Sequence, residues 1–327
     1  MIISRTPLRI SFAGGGSDLR AYYQSGFGSV LSTAIDRAMY VTVNKTFDHH
    51  FRVIYSKVEY VENIDDIEHN LARESLKLVG ITEGGLDIGY IGDMLPAHAG
   101  SGLGASSSLT VGILNALHTL KGARVSAETL AREACQIEIE ILGRPIGKQD
   151  QYSAAYGGLN YICFNNDDSV VVEPVDCQRE TLNKLSGNLM MFYTNLNTKS
   201  DTILSEQNEK TPENLPVLDK MVELSVELRR ALNNNDLSGF GDVLHQGWIY
   251  KQQLAAEITN PLINEYYEEA RKAGAIGGKI LGSGGGGFLL LYCEENNQVK
   301  VRETLSNLRE ADFKFEPAGS KIVYNRD

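Results

Sequence analysis

The chain has 327 residues, 42% of them hydrophobic, and a formal net charge of −11. That length suits two packed domains, and the charge has the wrong sign for nucleic acid or an anionic membrane as the main partner. The N-terminus lacks a charged segment followed by an apolar one, and no apolar run reaches the length of a membrane span, so a cytoplasmic protein is expected. Four cysteines are scattered without a Cys-x-x-Cys pair or a histidine at zinc spacing, and they read as small buried apolar residues.

Ile2 to Ala13 alternates in part and breaks at Gly14-Gly15-Gly16, a strand running into a tight loop. Ser29–Ile35, Met39–Lys45 and Phe51–Tyr55 are β-branched-rich strand candidates. Helical spacing over Asp66–Val79 and a strand over Gly84–Tyr90 lead to Pro96-Ala-His-Ala-Gly-Ser-Gly-Leu-Gly-Ala-Ser-Ser-Ser108. Here Gly100, Gly102 and Gly104 permit positive φ and a close approach to a ligand. Behind them, apolar residues recur at helical spacing from Ala105 to His118 with Ser hydroxyls at the start, where caps are favoured, so the loop opens a helix. Unsatisfied N–H groups and the positive end of the helix dipole then face the loop, and phosphate is the natural occupant. Ser106 and Ser107 offer a hydroxyl to a phosphate-bound Mg²⁺. A plain Gly/Ser linker would continue into polar sequence rather than an apolar helix. No Gly-Lys-Ser/Thr ends the loop, so it is not a Walker A loop. His98 either contacts a ligand or shapes the loop.

Helices are expected around Leu109–Leu120 and Ala127–Leu142. The pattern resets near Leu182–Gly187, with Asn188–Tyr193 as the first strand of a second unit. Helical segments follow over Asp219–Leu232, Gly239–Ala256 and Asn260–Gly274, then an apolar strand Phe288–Tyr292, a helix Val299–Arg309 and a short closing strand Ile322–Tyr324. Lys279-Ile-Leu-Gly-Ser-Gly-Gly-Gly-Gly-Phe288 is a second glycine-rich loop. Its run of glycines costs entropy on ordering, so something is expected to come very close to that backbone; a flexible hairpin needs fewer. The economical reading is an α+β protein of two domains, 1–185 and 186–327.

A third stretch, Pro7-Leu-Arg-Ile-Ser-Phe-Ala-Gly-Gly-Gly-Ser-Asp18, carries a polar residue and a carboxylate on a glycine turn. With these three stretches in this order the chain resembles the GHMP kinases over nearly its whole length. The resemblance implies a two-domain fold, with an N-terminal domain like ribosomal protein S5 domain 2, a ferredoxin-like C-terminal domain, and the active site between them. It also implies ATP and Mg²⁺ as cofactors. ATP is then expected on Gly100, Ser101, Gly102, Leu103, Gly104, Ala105, Ser106 and Ser107. Gly147-Lys-Gln-Asp-Gln151 is similar to the galactokinase Gly-Ile-Met-Asp-Gln and puts Asp150 on the family's catalytic aspartate. Arg9 would lie near the transferring phosphoryl and the acceptor hydroxyl. Glu138 falls at the family's Mg²⁺-binding Glu and would share the ion with Ser106. Glu140 is its competitor, and in a helix the two point to different faces.

The family's Gly-Glu-His-Thr-Asp is Gly14-Gly-Gly-Ser-Asp18 here, so Asp18 with Gly15, Gly16 and Ser17 would hold the sugar. The finer resemblance is to the sugar 1-kinase branch, and within it to kinases of D-glycero-D-manno-heptose 7-phosphate, carried by Met1–Asp18, Gly147–Tyr152 and Phe192–Ser200. It implies a sugar phosphate as small-molecule partner. Arg5, Lys148, Thr198, Lys199 and Ser200 are candidates to meet its phosphate, and Gly284, Gly285 and Gly286 are further substrate contacts. Lys148 either touches a phosphate, holds Asp150 ionised or is a solvated loop lysine. A fucokinase-like or galactokinase-like enzyme shares every motif and differs in the acceptor pocket. A silent sugar sensor would have no need for Arg9, Glu138 and Asp150 together.

Overall fold

The computed structural model describes residues 1–93, 100–197 and 200–326. Its first sheet has eight strands: β1 (Ile2–Ala13), β2 (Phe27–Lys45), β3 (Phe51–Ile54), β4 (Val58–Val61), β5 (Leu86–Gly92), β6 (Leu159–Asn165), β7 (Val170–Pro174) and, from the far end of the chain, β12 (Lys321–Asn325). The second sheet is antiparallel, in the order β11-β8-β10-β9, from β8 (Leu189–Tyr193), β9 (Gly277–Ile280), β10 (Phe288–Tyr292) and β11 (Arg309–Glu310). The helices are α1 (Arg20–Tyr23), α2 (Asn70–Val79), α3 (Ala105–Leu120), α4 (Ala127–Cys135), α5 (Gln149–Tyr156), α6 (Arg179–Gly187), α7 (Ser200–Glu209), α8 (Leu215–Asn233), α9 (Phe240–Lys251), α10 (Pro261–Lys272) and α11 (Glu295–Thr304).

The two strand candidates Ser29–Ile35 and Met39–Lys45 are one continuous strand. β2 pairs with β1 along one edge, while on its other edge Phe27–Thr33 pairs with β6 and Met39–Lys45 with β5. Three partners for one strand explain why a local reading splits it. Helix α3 lies on this sheet and is buried over most of its surface. A glycine in mid-helix is unfavourable, yet Gly112 stands where a Cβ would come within 3.0 Å of Thr6 Oγ1 and 3.1 Å of Val41 Cγ2. It lets the helix approach the strands, and Ser4 Oγ donates to its carbonyl at 2.7 Å.

The second sheet is apolar on both faces. On β8 and β10, Met190, Phe192, Leu289 and Leu291 join one core, whereas Met191, Phe288, Leu290 and Tyr292 join the core of the first unit. Period-two alternation thus feeds two cores, and it accounts for the unbroken apolar run that marked β10. Helices α8 and α9 take part in both: Leu228, Leu232 and Phe240 in the first core, Leu218, Met221 and Trp248 in the second. Phe12 of β1 meets Phe240 edge to face at 5.3 Å.

The last strand departs from the expected division at 185/186. β12 lies on the outer edge of β1, and the segment before it bonds to the first unit through Asp36 N–H to Lys314 O (2.8 Å) and Gly158 N–H to Glu316 O (2.8 Å). The open edge of β1 recruits it, which a five-residue segment cannot announce on its own. The helix expected at Val299–Arg309 starts and ends earlier, at Glu295–Thr304, and Arg309 belongs to β11. No helix among the described residues is long and apolar enough to cross a membrane.

Candidate functional site

One cleft between the two units is lined by the glycine turn after β1, the start of α3, the start of α5, and Lys251, Lys279, Gly282 and Ser283 from the second unit. β1 delivers Arg9 to its floor, 3% exposed. The Arg9 backbone N–H donates to Leu103 O at 3.0 Å, and Nη1 donates to Gly102 O at 2.6 Å. Nε and Nη2 grip Asp150 Oδ1 and Oδ2, each at 2.7 Å. This fork-to-fork pair joins β1 to the first turn of α5 and is charge-assisted on both bonds.

Asp18 stands beside it, 3% exposed. Its Oδ1 accepts from Gly16 N–H at 2.9 Å and its Oδ2 from Gln149 N–H at 3.2 Å. Burial pushes this carboxyl up from its ordinary range, the backbone donors oppose the rise, and the neighbouring Asp150 charge adds to it. Gly15 and Gly16 line the cleft with Asp18. Ser17 does not: it is fully buried and fixes the turn by donating to Gly14 O (2.8 Å) and Ser29 O (3.0 Å).

The phosphate-type loop is formed as expected from Gly100 to Ser107, with two corrections. Gly102 (φ +73°) and Gly104 (φ +74°) are left-handed. Leu103 turns its side chain into the core and is fully buried, so only its backbone serves the loop. Gly104, not a serine, precedes the first turn of α3, and no side chain caps that end. Ala105, Ser106 and Ser107 of that first turn line the cleft, where first-turn N–H groups favour an anion.

Glu138 is fully buried while Glu140 is exposed, which separates the two candidates. Glu138 sits on a π-helical turn, Gln136–Ile141, that continues α4, a geometry common at functional sites. Its Oε1 accepts from Ser106 Oγ (2.8 Å) and Arg144 Nη1 (3.0 Å), and its Oε2 from Gln151 Nε2 (2.9 Å). Burial raises this carboxyl too, against the pull of Ser106, Ser107, Arg144 and Gln151. Among the described residues no three His, Cys, Asp or Glu side chains gather as a metal cage.

Of the acceptor-phosphate candidates, Ser200 reaches the cleft and accepts from Ser283 Oγ at 3.0 Å. Thr198, Lys199 and His98 lie outside the described residues. Arg5 does not line the cleft: it donates to Glu316 Oε2 (2.6 Å) and Asp36 O (3.0 Å). Lys148 is also committed elsewhere, donating to Asp168 O at 3.1 Å and lying 4.9 Å from the centre of the Tyr23 ring. Both cations found partners far along the chain, which local sequence cannot reveal. Gly284 and Gly286 face protein rather than ligand: a Cβ on Gly284 would meet Ile258 O at 2.7 Å, and one on Gly286 would meet Leu196 O at 2.4 Å. Gly285 donates its N–H to Ile258 O at 2.8 Å.

Sequence reasoning missed Ser11, Gln149, Gln151, Arg144, Lys251 and Lys279. Ser11 was findable, since it shares a strand face with Arg9 at i+2. Its Oγ and Gln149 Oε1 are buried at the cleft with no hydrogen-bond partner among the described residues.

Residues 64–158 match the family model described as GHMP kinases N terminal domain, and residues 228–310 match GHMP kinases C terminal. The D-glycero-alpha-D-manno-heptose 7-phosphate kinase of Campylobacter jejuni is 26% identical over 98% of each chain. A galactokinase of Thermococcus kodakarensis is 25% identical over 95% of each. The crystal structure of a D-glycero-D-manno-heptose 1-phosphate kinase from Bacteroides thetaiotaomicron matches with a TM-score of 0.82 at 25% identity, covering 100% of both chains.

Proposed function

The chain belongs to the GHMP kinases, ATP-dependent phosphotransferases with an alcohol acceptor, and from that premise we propose that it phosphorylates the 1-hydroxyl of D-glycero-D-manno-heptose 7-phosphate. The product is the 1,7-bisphosphate, in a cytoplasmic route to nucleotide-activated heptose. The observation that carries the reading is the convergence on one cleft of an uncapped helix start, a buried carboxylate–hydroxyl pair and a carboxylate clamped by arginine. Likeness to a heptose 7-phosphate kinase over 98% of both chains supports the acceptor.

In this reading the ATP phosphates lie along Gly100–Ser107, where backbone donors and the helix dipole receive them. The donor set suits Mg²⁺, since Ser106 Oγ and Glu138 Oε1 are hard oxygen ligands 2.8 Å apart, and the Arg144 guanidinium rests on both. One carboxylate and one hydroxyl leave the remaining positions to phosphate oxygens and water. When bound, the ion supplies charge neutralisation to the phosphates. Asp150 orients the acceptor hydroxyl and receives its proton as the new O–P bond forms; the bond from the terminal phosphorus to the bridging oxygen breaks and ADP leaves. Arg9 fixes the Asp150 carboxylate in one orientation and adds positive charge beside the group in transfer. Asp18, Gly15, Gly16 and Ser200 contact the acceptor.

The test is a coupled ADP-release assay with Mg-ATP against heptose 7-phosphate, mannose, fucose, galactose and mevalonate, beside Asp150→Asn. Turnover confined to heptose 7-phosphate and lost in the variant is the expected result. Turnover on a free sugar overturns the acceptor and keeps the kinase.

A further inference from the structure

Two lysines of the second unit line the cleft. Lys251 ends α9 and Lys279 lies in β9; each is only 6% exposed and each lines the cleft. Neither meets a carboxylate at ion-pair distance among the described residues. Lys251 Nζ donates to Ile280 O at 3.1 Å and to Gly282 O, and Lys279 Nζ donates to Phe12 O at 3.4 Å. An ammonium has three N–H donors, so Lys251 keeps one and Lys279 two for something else. Among the described residues, the cleft's other carboxylates apart from Asp201 are already engaged. Asp150 has both oxygens on Arg9, Asp18 accepts from Gly16 and Gln149, and Glu138 accepts from Ser106, Arg144 and Gln151. Asp201 also lines the cleft. Burying two ammoniums beside a guanidinium is costly without a counter-anion.

We propose that Lys251 and Lys279 form a subsite for a phosphoryl dianion, the terminal phosphoryl group of the nucleotide on its way to the acceptor. Both lysines sit within electrostatic reach of Arg9, and Lys251 also of Asp150, so the subsite belongs at the point of transfer. An acceptor that presents its 1-hydroxyl to Asp150 carries its own phosphate at the opposite end of the sugar, away from this point; that assignment rests on the function proposed above. Burial and neighbouring cations leave their mark on the amines themselves. Burial, then the Arg9 charge, lowers Lys279 to about 7, and burial with Lys279 and Arg9 drives Lys251 well below its ordinary value. Dianion binding restores both charges, so nucleotide binding takes up protons.

The test is titration calorimetry at pH 8 in buffers of different ionisation enthalpy, using ADP and the imido analogue of ATP without acceptor. Working without acceptor separates this test from the identity of the sugar. A group near 7 is about one-tenth protonated at that pH, so the wild type should take up about 0.9 proton more than Lys279→Met on binding the analogue, and close to none more on binding ADP. The variant comparison cancels the ligand's own protonation. Lys251→Gln, which retains a donor for the two carbonyls, should likewise reduce the uptake. Equal uptake in wild type and Lys279→Met, or an equal difference with ADP, overturns the proposal. A separate titration with heptose 7-phosphate in which the sugar phosphate, and not the analogue, brings the uptake also overturns it and gives the pair to the acceptor's phosphate.

Discussion

The two glycine-rich loops, Gly100–Gly104 and Gly282–Gly287, have nearly the same composition and different reasons for it. In the first, Gly104 is left-handed and a Cβ there would come within 3.2 Å of both Arg9 Cγ and Asp150 Oδ2, so the missing side chain leaves room for the Arg9–Asp150 pair. In the second, only Gly282 and Ser283 reach the cleft, and the glycines after them are pressed against Ile258, Leu196 and Ser101. The loops also touch each other: a Cβ on Gly102 would lie 2.4 Å from Leu281 O, and one on Gly282 would lie 2.4 Å from Gly102 Cα. A glycine run therefore reports close approach without saying what approaches. One loop is shaped around the Arg9–Asp150 pair in the cleft, the other around its protein neighbours.

That distinction can be broken by substitution. The largest effect belongs to Asp150→Asn beside the first loop, which should lower kcat about 10³-fold while the Tm changes little. Gly286→Ala should do the reverse. Its Cβ meets a backbone carbonyl at 2.4 Å, a clash costing about 2–3 kcal/mol, read as a Tm lowered by roughly 3–5 °C. Gly104→Ala strains a left-handed residue by about 1–2 kcal/mol and crowds the Arg9–Asp150 pair, so kcat should fall about 10-fold to 100-fold in a protein that still folds. If Gly286→Ala lost activity at unchanged Tm, the second loop would be a ligand contact after all.

A pH titration sharpens the cleft side. Folding lowers the Lys279 ammonium from 10.5 to about 7. Between those values the unfolded chain holds a proton that the folded one lacks, so this residue makes stability rise with pH across that window. In thermal melts from pH 6.5 to 9.5 without nucleotide, the wild type should gain on Lys279→Met as pH rises. Parallel curves would show that the amine is not forced neutral by folding.

What the sequence revealed depends on how local each cause is. β1 was read at its observed limits because its alternation and its glycine stop lie within the segment itself. Arg9, Ser106, Glu138 and Asp150, which the structure brings to one cleft, were picked out by short motifs. Arg144, Lys251 and Lys279 were not, since an ordinary basic residue becomes a cleft residue only when a second domain covers it. Arg5 and Lys148 failed in the opposite direction, drawn off by Glu316 and Asp168. β6, β7 and β9 went unread because their pairing partners, rather than their own composition, define them.

The crossing of β12 to the outer edge of β1 bears on how the chain is made. During synthesis β1 emerges long before its edge partner, with the second domain between them. The ribosome therefore releases a first domain whose sheet is still open on one side, and that open strand edge is available for wrong pairing until β12 leaves the exit tunnel.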